Sequence, residues 1–321
     1  MSLKAHASFF NDSLEVSLRN YLLDQNEKDL NYSNKVLQGS TSFSTQIFEE
    51  MALPGKRVRP AIVYACFESF TGQPYNDLSS ACAMAVEMCH TSSLILDDLP
   101  CMDDADLRRG TQTLHQRIGE GKAILVATSL IFDAFSVIKI ACDKNKEKIQ
   151  LKTLASELSF SLSTSLGSKG VCFGQWADLD SSPRDKEADI TLKNELKTGC
   201  LFAACFQIGL LAGYALRPNC NYHNLIRIQE LGNRLGRVFG KIFQAVDDMT
   251  DSDPKNMKSL SKDISRNRGA YQARYINSFR DEIIPNFREL DELVHQGLAN
   301  FDVKPLLKLF SELESSLRAR L

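Results

Sequence analysis

An aliphatic run that ends in a dense group of acids is the feature that most constrains this chain. Residues 90 to 110 read His90-Thr-Ser-Ser-Leu-Ile-Leu-Asp97-Asp98-Leu-Pro-Cys-Met-Asp103-Asp104-Ala-Asp106-Leu-Arg108-Arg109-Gly110. Five carboxylates fall within ten residues, and they repel one another unless something cationic sits among them. A hard, oxygen-seeking ion answers that need. Magnesium fits best, because it keeps several waters and is held by a few carboxylates plus substrate phosphates. The two arginines that follow suit those phosphates, since their planar fork matches phosphate oxygens. The stretch alone points to a magnesium-bridged diphosphate.

A second acidic stretch, Phe243-Gln244-Ala-Val-Asp247-Asp248-Met-Thr-Asp251, lies near the far end of the chain. Asp247 and Asp251 are four apart and share one helix face, with Asp248 beside them. A single string of this kind is as often a solvated helix surface as a site. Two of them, each ending an apolar helix and the first followed by an arginine pair, can face each other across a cavity.

No alternating strand pattern of any length appears, so the fold class expected is all-α. Helices are expected over residues 7–50 (two of them), 61–71, 77–99, 122–142, 146–168, 190–214, 222–250, 270–299 and 305–320. The 321 residues are 43% hydrophobic and 24% charged, ample for a large core. No linker rich in Pro, Gly or Ser divides them, which favours one domain over residues 1–321. A net charge of −2 excludes a strong pull toward nucleic acid. Nine cysteines without a CxxC pair, several in apolar runs (Cys66, Cys82, Cys89, Cys205), read as buried thiols in a reducing compartment. The first residues lack a signal-peptide pattern. No apolar run is expected to reach the roughly 18 to 20 residues of a membrane span. A cytoplasmic protein is the expectation.

Three further stretches carry chemistry. Lys56, Arg57 and Arg59 cluster at a helix entrance between Pro54-Gly55 and Pro60. Cations there oppose the helix dipole, so an anion nearby would explain them. Gln175 and Asp178 are three apart and form one polar helix face. Lys197 lies inside an apolar stretch, where it is costly without a partner. A bound phosphate would serve, with Thr198 and Gly199 bending and loosening the helix. Gly232, Gly236 and Gly240 form one stripe that permits close helix packing.

The strings Asp97-Asp98-Leu-Pro-Cys-Met-Asp103-Asp104, Leu107-Arg108-Arg109-Gly110 and Asp247-Asp248-x-x-Asp251 together resemble the trans-isoprenyl diphosphate synthase family, in its bacterial farnesyl and geranylgeranyl branch. The likeness runs from about residue 50 to 272. It implies an isoprenoid-synthase helical bundle around one deep central cavity, usually a homodimer. The implied activity is that of a magnesium-dependent prenyltransferase, condensing isopentenyl diphosphate head-to-tail with dimethylallyl, geranyl or farnesyl diphosphate. By the same resemblance Asp97, Asp103 and Asp247, aided by Asp98, Asp248 and Asp251, hold Mg2+ on the allylic diphosphate. Arg108, Lys197 and Arg268 stabilise the leaving diphosphate. Lys56, Arg59, His90 and Arg109 position isopentenyl diphosphate, and Thr198 and Gln244 lie near the allylic substrate. His115 resembles a family histidine near the site, and Gln175 with Asp178 supports metal-bound water. The released diphosphate takes the proton, and apolar walls keep water away.

The chain departs from the family pattern at Pro54 for glycine, Arg268 for lysine and Gln272 for proline. Ser92 and Ser93, fifth and fourth before Asp97, occupy the product-length positions. Small residues there leave the pocket floor open, so fifteen-carbon and twenty-carbon products both stand. Met88, Cys89, Phe132 and Phe135 are the other candidate floors. Two alternatives are weighed. A class I terpene cyclase would carry an Asn/Asp-Ser/Thr-Glu pattern in place of the second acidic motif. A non-catalytic partner subunit would lose aspartates from one motif, and none is lost here.

Overall fold

The structure, a computed structural model, describes residues 2–26, 34–150, 152–180, 187–218, 220–251, 302 and 304–318, with 22–26, 34–42, 245–251 and scattered other helical positions described by their backbone alone. The chain begins with α1 (Leu3–Asn26) and α2 (Asn34–Ala52), then α3 (Val58–Thr71) and α4 (Asp77–Asp97). Two of these helices have clear stops and starts. α3 ends at Gly72, whose left-handed φ of 69° lets its N–H return to the Glu68 carbonyl. α4 starts at a capping box in which Asn76 and Ser79 satisfy each other's backbone N–H groups. A two-residue hairpin, β1 (Leu107–Arg108) and β2 (Thr111–Gln112), follows, then α5 (Leu114–Ile118) and α6 (Glu120–Lys144). After α7 (Leu154–Leu166), α8 (Val171–Leu179) and α9 (Glu187–Asn194), a π-helical turn over Glu195–Gly199 leads into α10 (Cys200–Tyr214). α11 (Tyr222–Asp251) and α12 (Lys304–Arg318) complete the described residues.

α10 is buried on nearly every side, as its unbroken apolar sequence requires. α3, α4, α7 and α11 surround it. The glycine stripe of α11 makes the closest approach. A Cβ on Gly236 would lie 2.3 Å from the Ala203 Cα, and one on Gly240 would lie 2.6 Å from the Gly199 Cα. That spacing draws the end of α11 against the π-helical turn. The core continues through α4 and α6, which pack along their length.

The all-α expectation holds, with three corrections. α7 begins at Leu154 and not near residue 146, because Asn145 turns the chain: its N–H and side-chain amide both donate to the Ala141 carbonyl. The hairpin was not expected. Its two turn residues, Arg109 and Gly110, have φ of 53° and 80°, the pair of positive values that a tight I′ turn needs. The third correction concerns apolar length. α6, with 25 residues, and Leu192–Tyr214, with 23, are long and apolar enough by length and composition to cross a bilayer. The second is 83% buried in its most apolar window, as a core helix is. α6 keeps Leu125 and Phe132 exposed on its outer flank. The helix expected over 270–299 lies outside the described residues.

Candidate active site

A cavity of about 580 Å3 opens between the Pro54–Arg59 loop, α4, the hairpin, the π-helical turn and α11. One wall is cationic. Lys56 sits with its Nζ 5.5 Å from the Phe243 ring centroid. The Arg59 guanidinium lies 4.5 Å from the Phe202 ring centroid, and its Nη1 is 3.1 Å from Nε2 of His90. Burial, with Arg59, Arg109, Arg57 and Arg108 around it, pushes the His90 pKa well below its ordinary value. The ring is therefore neutral, and Nε2 accepts from Arg59. Arg109 reaches the same wall from the hairpin turn. It packs against Gly55, where an added Cβ would lie 2.8 Å from Nη1, so a side chain there would displace the guanidinium. Burial lowers the Arg109 pKa, and Arg57, Arg108 and Arg59 lower it further against the pull of Glu87. Cations gathered this closely favour an anion among them.

Beside the cavity, past Arg108, lies an acidic edge. α4 ends at Asp97 and the chain folds back in a tight turn after Pro100. The Asp103 N–H donates to the Asp97 carbonyl at 2.9 Å, and the Asp104 N–H to that of Leu99 at 3.1 Å. This turn returns Asp103 to the mouth of α4. Burial raises the Asp97 pKa to about 6, with Asp103 and Asp98 adding and Lys197 and Arg108 opposing. Asp103 is exposed, whereas Asp98 is 4% exposed and accepts from Nε and Nη2 of Arg108. The hairpin makes that pair, because β1 carries Arg108 back alongside the end of α4. Of the first-motif aspartates expected to hold metal, Asp103 is exposed and Asp97 is partly buried beside Lys197, while Asp98 is engaged by an arginine expected to serve the substrate.

The π-helical turn joins the cavity, through Thr198, to this acidic edge, through Lys197. Extra-wide turns of this kind recur at functional positions. Lys197 extends its Nζ to 3.3 Å from Asp178 Oδ2 and 3.8 Å from Asp97 Oδ2. The partners it finds within the chain are carboxylates. Thr198 donates to Gln244 Oε1 at 3.0 Å and so ties the turn to α11. Gln175 lies beside Met102, and its Oε1 is buried with no hydrogen-bond partner among the described residues. Gln244 lines the cavity. Positions 247, 248 and 251 lie three, four and seven residues further along the same helix, on the face that Gln244 occupies. The side chains of Asp247, Asp248 and Asp251, and the whole of Arg268, lie outside the described residues.

The donor chemistry of Asp97 and Asp103 suits magnesium, a hard ion that takes carboxylate oxygens. Among the described residues no group of three or more His, Cys, Asp or Glu converges.

The product-length positions are differently placed. Ser92 is fully buried at the α4–α6 contact, its hydroxyl donating to the Ala127 carbonyl at 2.7 Å. Ser93 is half-buried and donates to the His90 carbonyl at 2.8 Å. Met88 and Cys89 are buried in the core. Phe132 is 67% exposed on α6 and closes no pocket among the described residues, unlike its reading as a floor. Phe135 is partly buried against the core. His115 is 7% exposed, and neither ring nitrogen has a partner among the described residues.

Sequence reasoning missed Glu87, one helical turn before His90 and also in the cavity wall. The only signal was its charge inside an apolar run. It also missed the Lys197 bridge to Asp178 and Asp97, since spacing does not reveal contacts between helices.

The polyprenyl synthetase family model matches residues 42–279. A geranylgeranyl diphosphate synthase of Pseudescherichia vulneris is 36% identical over 219 residues, covering 68% of this chain and 66% of that protein. A chloroplastic geranylgeranyl pyrophosphate synthase of Arabidopsis thaliana is 36% identical over 267 residues, covering 80% of this chain and 69% of the other. Among solved structures, a geranyltransferase from Legionella pneumophila superposes with a TM-score of 0.70 at 21% identity, covering 99% of both chains. At that identity the superposition speaks for the fold alone. The family match extends through both acidic motifs and the basic loop, and the chain belongs to the polyprenyl synthetase family.

Proposed function

We propose that the chain is a short-chain trans-prenyl diphosphate synthase that condenses isopentenyl diphosphate with an allylic diphosphate to give farnesyl or geranylgeranyl diphosphate. One observation carries the reading. A cavity lined by Lys56, Arg59 and Arg109 adjoins, through Arg108 and its partner Asp98, the aspartates at the end of α4, which suits two diphosphates held in two different ways. Its relatives' names point the same way.

In this reading Lys56, Arg59 and Arg109 hold the diphosphate of isopentenyl diphosphate, and neutral His90 orients Arg59. Asp97, Asp103 and the second-motif aspartates would hold Mg2+, which supplies charge neutralisation for the departing diphosphate. Lys197 and Arg108 turn from their carboxylate partners toward the same leaving group, adding donors where negative charge develops. The double bond of isopentenyl diphosphate attacks the allylic carbon as its C–O bond breaks. A proton then leaves the new carbon skeleton, and the freed diphosphate accepts it.

The same proposal includes a homodimer. Leu125 and Phe132, 62% and 67% exposed, stand two turns apart on α6, and an apolar flank of this kind on a bundle helix fits a second copy. A cytoplasmic location accords with nine free thiols.

Release of inorganic diphosphate tests the function. The synthase reading expects release only when magnesium, isopentenyl diphosphate and geranyl diphosphate are all present. Release from geranyl diphosphate alone would mark a cyclase, and none from the complete mixture would mark a partner subunit.

A further inference from the structure

Arg57 stands between two cations assigned to isopentenyl diphosphate, yet its side chain is turned away from bulk solvent and 2% exposed. Nη1 lies 2.5 Å from Glu87 Oε1, Nη2 donates to the carbonyls of Met51 at 2.7 Å and Leu53 at 2.8 Å, and Nε donates to Asn11 Oδ1 at 2.9 Å. The guanidinium also lies 5.8 Å from the Phe10 ring centroid. Four of its five N–H donors are thereby used. They reach α1, the end of α2 and α4, three elements that nothing in the local sequence joins.

The backbone explains how one residue of a basic run turns inward. Arg57 occupies the left-handed region, φ 49° and ψ 35°, immediately before α3. A non-glycine residue holds that conformation only where its surroundings fix it. The inversion separates Arg57 from its neighbours and leaves Lys56 against Phe243 and Arg59 against Phe202 and His90.

Glu87 is the counter-charge. It is 2% exposed and is the one carboxylate among the described residues lining the cavity, beside five cations. Its Oε2 is buried with no partner among the described residues. A lone acid in a basic subsite would repel a diphosphate unless its charge were already spent. Arg57 spends it, and Glu87 in turn holds Arg57 in place.

We propose that Arg57, locked by Glu87, is the positioning residue of the isopentenyl diphosphate subsite. It touches no substrate. It fixes the Pro54–Arg59 loop so that Lys56 and Arg59 converge, and through Asn11 it makes α1 part of the apparatus that builds the site. The inference rests on the synthase reading, and the two fail separately: the unaltered protein tests the reading, and the variants test Arg57.

Steady-state kinetics with each substrate varied in turn decide the matter. Arg57→Met is expected to raise KM for isopentenyl diphosphate about ten- to a hundredfold, since loss of placement by about 1 Å costs that much. KM for geranyl diphosphate should stay within about threefold, and Arg57→Lys should recover part of the loss, keeping one bond to Glu87. A folded Arg57→Met with unchanged KM for isopentenyl diphosphate, or with both KM values raised alike, overturns the proposal. If Arg57→Met does not fold, Asn11→Ala carries the test. Asn11 is exposed and remote from the cavity wall. Its loss should raise the same KM alone, about fivefold for one hydrogen bond, and an unchanged KM overturns the proposal.

Discussion

Gly174→Ala is the most exacting test of how the cavity is joined to the acidic edge beside it. Gly174 is buried on α8, where that helix crosses the π-helical turn. A Cβ there would lie 2.4 Å from the Lys197 backbone N, 2.7 Å from the Leu196 carbonyl carbon and 2.9 Å from the Leu196 Cβ. Backbone atoms cannot rotate aside, so the turn must yield by about 1 Å to reach ordinary contact. Overpacking of this size costs about 1–3 kcal/mol, and alanine returns about 1 kcal/mol in helix propensity. The net loss of stability is therefore small, about 0–2 kcal/mol, or a few degrees in Tm at most. The active-site consequence is larger. Lys197 moves with its backbone, and a catalytic group misplaced by about 1 Å costs on the order of a hundredfold. The expected result is a fall in kcat/KM of about a hundredfold with a nearly unchanged calorimetric Tm. Gly121→Ala on α6 is the control, because nothing lies within 4 Å of its added Cβ. Wild-type kcat/KM in Gly174→Ala, or a loss of stability with activity intact, would refute this account of the turn.

Removing the Lys197 charge, as in Lys197→Met, should lower kcat by about two to three orders of magnitude, as loss of a donor to developing negative charge does. Single-turnover measurements with bound geranyl diphosphate would check it, and a lesser effect than that of Gly174→Ala would count against the role. Ser92→Phe should force α4 from α6, since the hydroxyl sits 2.7 Å from the Ala127 carbonyl in a fully buried position. The cost should be about 1–3 kcal/mol with a shift toward shorter products, read by product chromatography and urea unfolding. His6 links pH to the seat of α1. Burial first, then the N-terminal charge, pushes its pKa down to about 4, outweighing Glu68 at 3.1 Å. A depressed histidine binds fewer protons folded than unfolded, so stability is full above pH 6.5 and declines as pH falls toward 4. By pH 5 the loss should be up to about 2 kcal/mol. Tm measured from pH 7 to 5 should fall less steeply in His6→Phe, and an equal slope would contradict the assignment.

The helices were legible because their apolar stripes and stop signals are local. The helices expected over 61–71 and 77–99, for example, appear as α3 and α4. The paired acidic motifs and the basic loop could be read as a candidate site for the same reason, each being a short contiguous string. What stayed hidden depends on the third dimension. Arg57 is indistinguishable in sequence from Lys56 and Arg59, and only its left-handed backbone directs it to Glu87, thirty residues away. The hairpin escaped notice because its strands are two residues long and the turn opens on arginine, a residue that rarely takes positive φ. Ser92 was readable as small but not as a hydrogen-bond donor to another helix. The membrane-length runs were undercounted because single polar residues such as Asp133 interrupt α6, where Tyr21 and Ser129 satisfy its carboxylate.

The most direct test of the central claim is chain elongation. The purified protein, with magnesium and isopentenyl diphosphate, would be given dimethylallyl, geranyl and farnesyl diphosphates separately, and the products sized by chromatography. The account expects the five- and ten-carbon primers to be elongated by whole isoprene units, and the reaction to stop on chelation of the metal. Arrest at fifteen carbons would place a floor near the α4–α6 contact, and use of the farnesyl primer would place it deeper. Folded protein that elongates none of the three primers would contradict the claim.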